Sequence, residues 1–290
     1  MKHRGKRLFV VDLDGTFLRD DKSLSGQDKN ALVKLRRMGV VTAVATGRSL
    51  YSFQKIMSEL GVNGSESAFP VDYVIFSTGA GIIDFPTGAI LTKKSLNAGD
   101  INVISGILDG YNLDYMIHRS IPDTKHFIYK YCTKSNSDFE TRLKIYKEHG
   151  TILTPENLAG FGEATEVLCI VDRLTGIEVA DHLAAVFSQY SVIKATSPMD
   201  KRSIWIEIFA KGVSKSMAVS WLSERVGAAR ALVGAVGNDY NDEDMLDWAG
   251  QGYLVANGPE SLQSDYPIVA SNNEGGVAEA VSRWIAEMGM

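Results

Sequence analysis

The stretch FVVDLDGTFL, Phe9 to Leu18, runs an apolar segment into two aspartates, Asp12 and Asp14, with Gly15 behind them. If the strand continues through both, residues i and i+2 share a face and their carboxylates stand about 6 to 7 Å apart. Two negative charges at that spacing repel by about 2.5 kcal/mol at an effective dielectric near 20. A divalent cation would offset that repulsion, and a proton on Asp14 would remove it. The apolar run itself is continuous, the pattern of a strand covered on both faces in a parallel sheet.

Outward from this stretch, strands and helices alternate. Ser25 to Met38 carries Ala31, Leu32, Leu35 and Met38 at helical spacing and stops at Gly39. Val40 to Ala45 is a second buried-type strand that ends in Thr46-Gly47-Arg48. Leu50 to Leu60 is a helix closed by Gly61, and Tyr73 to Phe76 is a third strand. The last third repeats the pattern: a helix over Ser214 to Val226, a strand over Ala231 to Val236, a helix over Glu243 to Trp248, a strand over Gly252 to Ala256, and a short helix near Ser261. A strand over Pro267 to Ala270 and an amphipathic helix over Gly276 to Glu287 close it. Between these thirds the segments are longer, mixed and richer in Tyr, His and Lys. The expected architecture is α/β: a Rossmann-like, doubly wound parallel-sheet core over residues 1–84 and 212–290, interrupted by an α+β domain over 85–211. The chain is expected to cross between them near Asp84-Phe85-Pro86 and Ala210-Lys211-Gly212. Trp205, Trp221, Trp248 and Trp284 fall within apolar patterns and read as core.

The 290 residues are 45% hydrophobic and 22% charged, with a net charge of −5, so no basic face marks a nucleic-acid or membrane-surface protein. Met1 to Arg7 is basic, but the apolar run behind it is too short for an export signal, and no uncharged stretch reaches the length of a membrane span. Cys132 and Cys169 form no CxxC pair, which points to a reducing compartment. A cytoplasmic protein is expected, and Asn63-Gly64-Ser65 then reads as a turn rather than a glycosylation site. Walker A, GxGxxG, HExxH and GxSxG motifs are absent. The acidic run from Asp239 is no EF-hand, since Asp244 stands where that loop needs glycine and Gly250 where it needs glutamate.

In open α/β sheets, ligands bind at the carboxyl edge of the strands. Asp12 and Asp14, Thr46, Lys215 at the head of a helix, and Gly237-Asn238-Asp239-Tyr240-Asn241-Asp242 fall at that edge or at the helix starts beside it. Oxygen ligands, a hydroxyl and one lysine suit Mg²⁺ with a phosphate group. Lys215 sits in a helical first turn, where the dipole disfavours a cation by roughly 0.3 to 1 kcal/mol unless an anion joins it.

Four segments in order, DLDGTFL (12–18), ATGR (45–48), EIFAKGVSKS (207–216) and GNDYNDEDML (237–246), resemble the motifs of the haloacid dehalogenase-like superfamily. VANGPESL (255–262) and SNNEGGVAEAV (271–281) resemble the tail of its Cof-type subfamily, subclass IIB. The resemblance implies a Mg²⁺-dependent phosphatase with a large C2-type α/β cap inserted between the second and third motifs. Its substrate would be a small phosphorylated metabolite, with sugar phosphates the leading class. Asp12 would be the nucleophile that forms an aspartyl-phosphate, and Asp14 the general acid and base. Thr46, Gly47 and Lys215 would bind the phosphoryl oxygens. Asp12, the Asp14 carbonyl, Asn238 and Asp242 would hold the metal.

Two departures from the pattern bear on the site. Asn238 stands where the family has a metal-binding aspartate, so either its amide oxygen serves or Asp239 turns in. The sequence favours Asn238 with Asp242. Ser77-Thr78-Gly79-Ala80 stands where the subfamily has Asn-Gly-Ala. Arg48 either touches substrate or forms a surface ion pair, and Asn241 and Asp242 are also good helix caps. His118, Arg119, His126, Lys130 and Arg202 of the insertion are candidates for reading the leaving group. The competing readings are a phosphomutase of the same superfamily, a receiver-like signalling module, and a catalytically weakened phosphate-binding regulator. A receiver is much shorter and carries no insertion.

Overall fold

The computed structural model describes residues 5–62, 69–133 and 135–290; Met1 to Arg4 of the basic start and the Asn63-Gly64-Ser65 turn lie outside the described residues. The chain forms two units, one of Met1–Arg48, Phe53–Thr92 and Ser214–Met290, the other of Ser49–Ser52 and Lys93–Val213.

The chain opens with β1 (Lys6–Asp12), α1 (Gly26–Arg37), β2 (Val41–Ala45), α2 (Leu50–Glu59), β3 (Tyr73–Phe76), β4 (Gly81–Asp84) and β5 (Ile90–Lys93). Helix α1 begins at Ser25 because its hydroxyl accepts the Gln27 and Asp28 N–H groups. Asp84-Phe85-Pro86, expected as a crossing point, is instead a hairpin turn. Asp84 Oδ1 accepts from the Thr87 N–H and hydroxyl, and its carbonyl accepts from Gly88. Two more strands therefore join the sheet before the first unit is left after Thr92.

The second unit runs α3 (Ala98–Gly110), β6 (Tyr115–Arg119), β7 (Phe127–Lys130), α4 (Ser137–Ile145), β8 (Gly150–Ile152), α5 (Pro155–Ala159), β9 (Ala164–Val171), α6 (Arg173–Val186), β10 (Ser191–Thr196) and β11 (Ile204–Phe209). Its six strands lie in the order β10-β11-β9-β6-β7-β8, antiparallel except for the β7–β8 pair. Ile104 and Leu108 of α3 and Leu183 of α6 pack with Tyr115, Ile117 and Val167 on one face; Phe139 of α4 packs with Met116, Phe127 and Leu168 in a separate cluster.

The chain then completes the first unit with α7 (Lys215–Val226), β12 (Ala228–Gly237), α8 (Glu243–Trp248), β13 (Gln251–Val255), β14 (Ile268–Val269) and α9 (Gly276–Glu287). The eight-stranded sheet has the order β14-β13-β12-β1-β2-β3-β4-β5, parallel from β14 to β3 and antiparallel at β3–β4. Alternation along β1 sends Leu8 and Val10 toward Ala218, Val219 and Leu222 of α7, while the Phe9 ring lies 5.2 Å from that of Trp284 in α9. Helices thus cover both faces, as the continuous apolar strands require. Trp284 is fully buried, whereas Trp205, Trp221 and Trp248 are half-buried against their cores. No helix among the described residues is long and apolar enough to cross a membrane.

The register fixes the functional edge. Asp12 pairs with Ala45 of β2, and Val11 with Val236 of β12. The residues that follow these strands, from Leu13, Thr46 and Asn238 onward, therefore emerge side by side.

Candidate active site

At the tip of β1, Asp12 is 5% exposed, and Lys215 and Asp242 beside it are fully buried. Lys215 Nζ donates to Asp12 Oδ1 at 2.7 Å and to Asp242 Oδ1 at 2.5 Å. Burial would push the ammonium pKa down, but the two carboxylates hold it above the ordinary lysine value. Burial and the Asp242 charge push the Asp12 pKa up, against the opposing pull of Lys215. Asp242 Oδ2 accepts the Asn238 and Asp239 N–H groups at 2.9 and 3.1 Å, so its carboxylate also folds the loop after β12. Ser214 explains how Lys215 reaches this place: its hydroxyl caps α7 through the Met217 N–H, and Lys215 is the first helical residue.

The two aspartates do not share a strand face. β1 ends at Asp12 and the chain turns, with Phe17 and Leu18 N–H bonded back to Leu13 O. Asp14 faces other partners: Arg48 grips it through Nε at 2.6 Å and a terminal nitrogen at 2.7 Å, and Lys22 Nζ lies 3.1 Å away. Burial would raise the Asp14 pKa, yet Arg48 and Lys22 hold it below the ordinary carboxylate value. The expected repulsion is thus relieved by separate cations.

A third group closes the site. One terminal atom of the Asn238 carboxamide lies 2.9 Å from the Asp14 carbonyl, 3.0 Å from Asp12 Oδ2 and 3.0 Å from Thr16 Oγ1. All three can accept, which favours the amide nitrogen there, while with the amide turned its oxygen accepts from the Thr16 hydroxyl at the same 3.0 Å. Gly15 makes room: its φ is +78°, and a Cβ there would stand 2.7 Å from the other end of the amide. Asp239 has its N–H on Asp242, and Asn241 stands half-buried in the same 3₁₀ turn, Tyr240–Asp242. No group of three or more His, Cys, Asp or Glu gathers among the described residues as a metal site. A carboxylate oxygen, a main-chain carbonyl, a hydroxyl and a carboxamide converge instead. That all-oxygen set, with the amide turned, fits the hard-ligand preference of Mg²⁺.

This geometry agrees with a match of residues 9–281 to the model of the haloacid dehalogenase-like hydrolases. The chain belongs to that family.

Relatives of this hydrolase span nearly its whole length. It is 24% identical over 281 residues to the 5-amino-6-(5-phospho-D-ribitylamino)uracil phosphatase YcsE of Bacillus subtilis, covering 96% of each chain. It is 25% identical over 285 residues to the HMP-PP phosphatase of Cronobacter sakazakii, again covering 96% of each. Among solved structures, the subclass IIB sugar phosphatase BT4131 superposes with a TM-score of 0.72 at 15% identity, over 98% of this hydrolase and 99% of that chain.

The remaining predicted residues stand at the neighbouring strand ends. Thr46 is buried, its N–H donates to Ile75 O, and its hydroxyl accepts the Arg48 N–H at 3.1 Å. Gly47 lies between them, half-buried. Ser77 and Thr78 both have left-handed φ, +47° and +54°, and Thr78 N–H bonds Thr46 O. A Cβ on Gly79 would meet Ser214 O at 2.2 Å, so this turn packs directly on the start of α7. The sequence reading missed Thr16 and Lys22. It also missed the buttress: Asn257 Nδ2 donates to Gly15 O at 2.8 Å and Asn272 Nδ2 to Leu18 O at 3.0 Å. The signal was present, because both asparagines lie in the quoted tail motifs. His118 of the second unit is buried, whereas Arg119 and Arg202 are exposed and His126 and Lys130 half-buried.

Proposed function

We propose that this hydrolase is a Mg²⁺-dependent phosphatase that cleaves a small phosphorylated metabolite, of sugar-phosphate class, through an aspartyl-phosphate on Asp12. One observation carries the reading: Asp12 stands at the sheet's carboxyl edge with Oδ1 held by a buried lysine and Oδ2 beside the Asn238 carboxamide, which also meets the Asp14 carbonyl and the Thr16 hydroxyl. The names of its relatives, a phosphoribityl-compound phosphatase and a sugar phosphatase, support the substrate class.

In this reading Lys215 orients Asp12 and neutralises phosphoryl charge, the main task in phosphoryl transfer. Asp12 attacks phosphorus and the ester oxygen leaves with a proton from Asp14. A water molecule then gives its proton to Asp14 and releases phosphate from Asp12. Arg48 and Lys22 hold Asp14 ionised, the form needed for the second half; the first half requires that grip to loosen. Thr46 and Gly47 line the phosphoryl site. Asp12, the Asp14 carbonyl and Asn238 would hold Mg²⁺, with Asp242 anchoring the loop, and the ion would supply neutralisation of the charge on the transferring group. The second unit acts as the cap that selects the leaving group.

Purified protein should release inorganic phosphate from an aryl phosphate, EDTA should abolish release, and Asp12→Asn should abolish it with the fold intact. Release that survives Asp12→Asn removes the nucleophile from the scheme. Isomer formation without phosphate release would instead mark a phosphomutase. The neutral Asn238 also favours one further reading, a regulator that binds phosphate without turnover, which the same assay separates.

A further inference from the structure

The carboxamide of Asn238 carries an inference that rests on the metal seat proposed above. One terminal atom of it lies 2.9 to 3.0 Å from Asp12 Oδ2, the Asp14 carbonyl and Thr16 Oγ1; as nitrogen it donates to these oxygens, and as oxygen it accepts from the Thr16 hydroxyl. With Asp12 ionised, its Oδ2 and the Asp14 carbonyl are acceptors only, whereas the Thr16 hydroxyl donates or accepts as needed. Turned half around, the amide would place its oxygen at the same point. Thr16 could then donate to it, at the same 3.0 Å separation. The two remaining oxygens would face a third oxygen at hydrogen-bond distance with no proton between them, an arrangement that needs a cation. The site therefore has two self-consistent states, nitrogen inward without metal and oxygen inward with it.

We propose that the Asn238 carboxamide is a two-position group that seals the metal-free site with its nitrogen and turns its oxygen inward to admit the cation. An aspartate here has no donor and would leave the metal-free site with an unrelieved charge beside Asp12. Asn238 thus makes the empty site stable and the cation weakly held, because binding must first break the amide's hydrogen bonds.

The test compares the full-length protein with Asn238→Asp in EDTA and in saturating Mg²⁺. The variant should melt below the wild type in EDTA and recover in Mg²⁺, and calorimetry should show it binding Mg²⁺ at least tenfold more tightly. In the wild type, the Asn238 side-chain NH₂ resonances should be protected from exchange in EDTA, and should shift and lose protection as Mg²⁺ is added. The NMR arm does not depend on the variant folding. Mg²⁺ binding heat without movement of those resonances, or a variant as stable as wild type in EDTA with unchanged affinity, overturns this inference alone. Absence of binding heat in both proteins overturns the metal seat and this inference with it, while phosphate release by the assay above tests the phosphatase reading separately.

Discussion

Lys215 shows how a buried charge organises this hydrolase. A lysine with no solvent exposure is tolerable because Asp12 and Asp242 both accept hydrogen bonds from its ammonium group. Lys215→Met would leave two buried carboxylates facing each other without a cation. It should cost about 3 to 5 kcal/mol of stability in urea denaturation and abolish phosphate release. Adding Asp242→Asn to that variant should restore part of the stability and none of the activity. A loss below about 1 kcal/mol would mean that water reaches this lysine and screens it.

Among the elements, the 3₁₀ turn Ser77–Gly79 between β3 and β4 carries identifiable strain. Thr78 is β-branched, fully buried and held at φ +54°, a region that asparagine and glycine enter far more readily. The turn keeps this shape because Gly79 packs against the start of α7 and Thr78 N–H is tied to Thr46 O. Thr78→Asn should therefore raise the unfolding free energy by roughly 1 kcal/mol, read as a higher denaturation midpoint at unchanged slope. The sequence marked this departure from the Cof-type pattern. It did not show that the consequence falls on the backbone beside Lys215.

At the scale of the whole molecule, stability should depend on pH through the second unit. Glu166 is buried on the six-stranded sheet, and burial together with the Glu207 charge pushes its pKa up to about 8. The folded state thus keeps a proton that the unfolded chain releases above an ordinary glutamate pKa of about 4.3. Because the native state binds more protons across that window, stability falls as pH rises from about 4.5 toward 8. Glu166→Gln removes the titrating group. It should raise stability more at pH 8 than at pH 5, by about 3 to 4 kcal/mol in unfolding free energy, read as a larger rise in melting temperature at the higher pH. Equal shifts at both values would exclude Glu166 as the source.

The sequence by itself determined the alternation of strands and helices in the first unit, the carboxyl-edge position of Asp12, Thr46, Lys215 and Asn238, and the order of the family motifs. Apolar runs, caps such as Ser25 and the glycine stops act within a few residues, so they are legible along the chain. Tertiary structure alone decided which cation serves which carboxylate. Asp12 and Asp14 are two positions apart in sequence, yet their partners, Lys215 for one and Arg48 with Lys22 for the other, come from separate elements. The same holds for the hairpin of β4 and β5, too short for periodicity to reveal, and for the Asn238 amide that faces the oxygens of Asp12 and Asp14. Side-chain partners far apart in sequence meet only when the sheet register and the helix starts have set their positions, and no local pattern records that meeting.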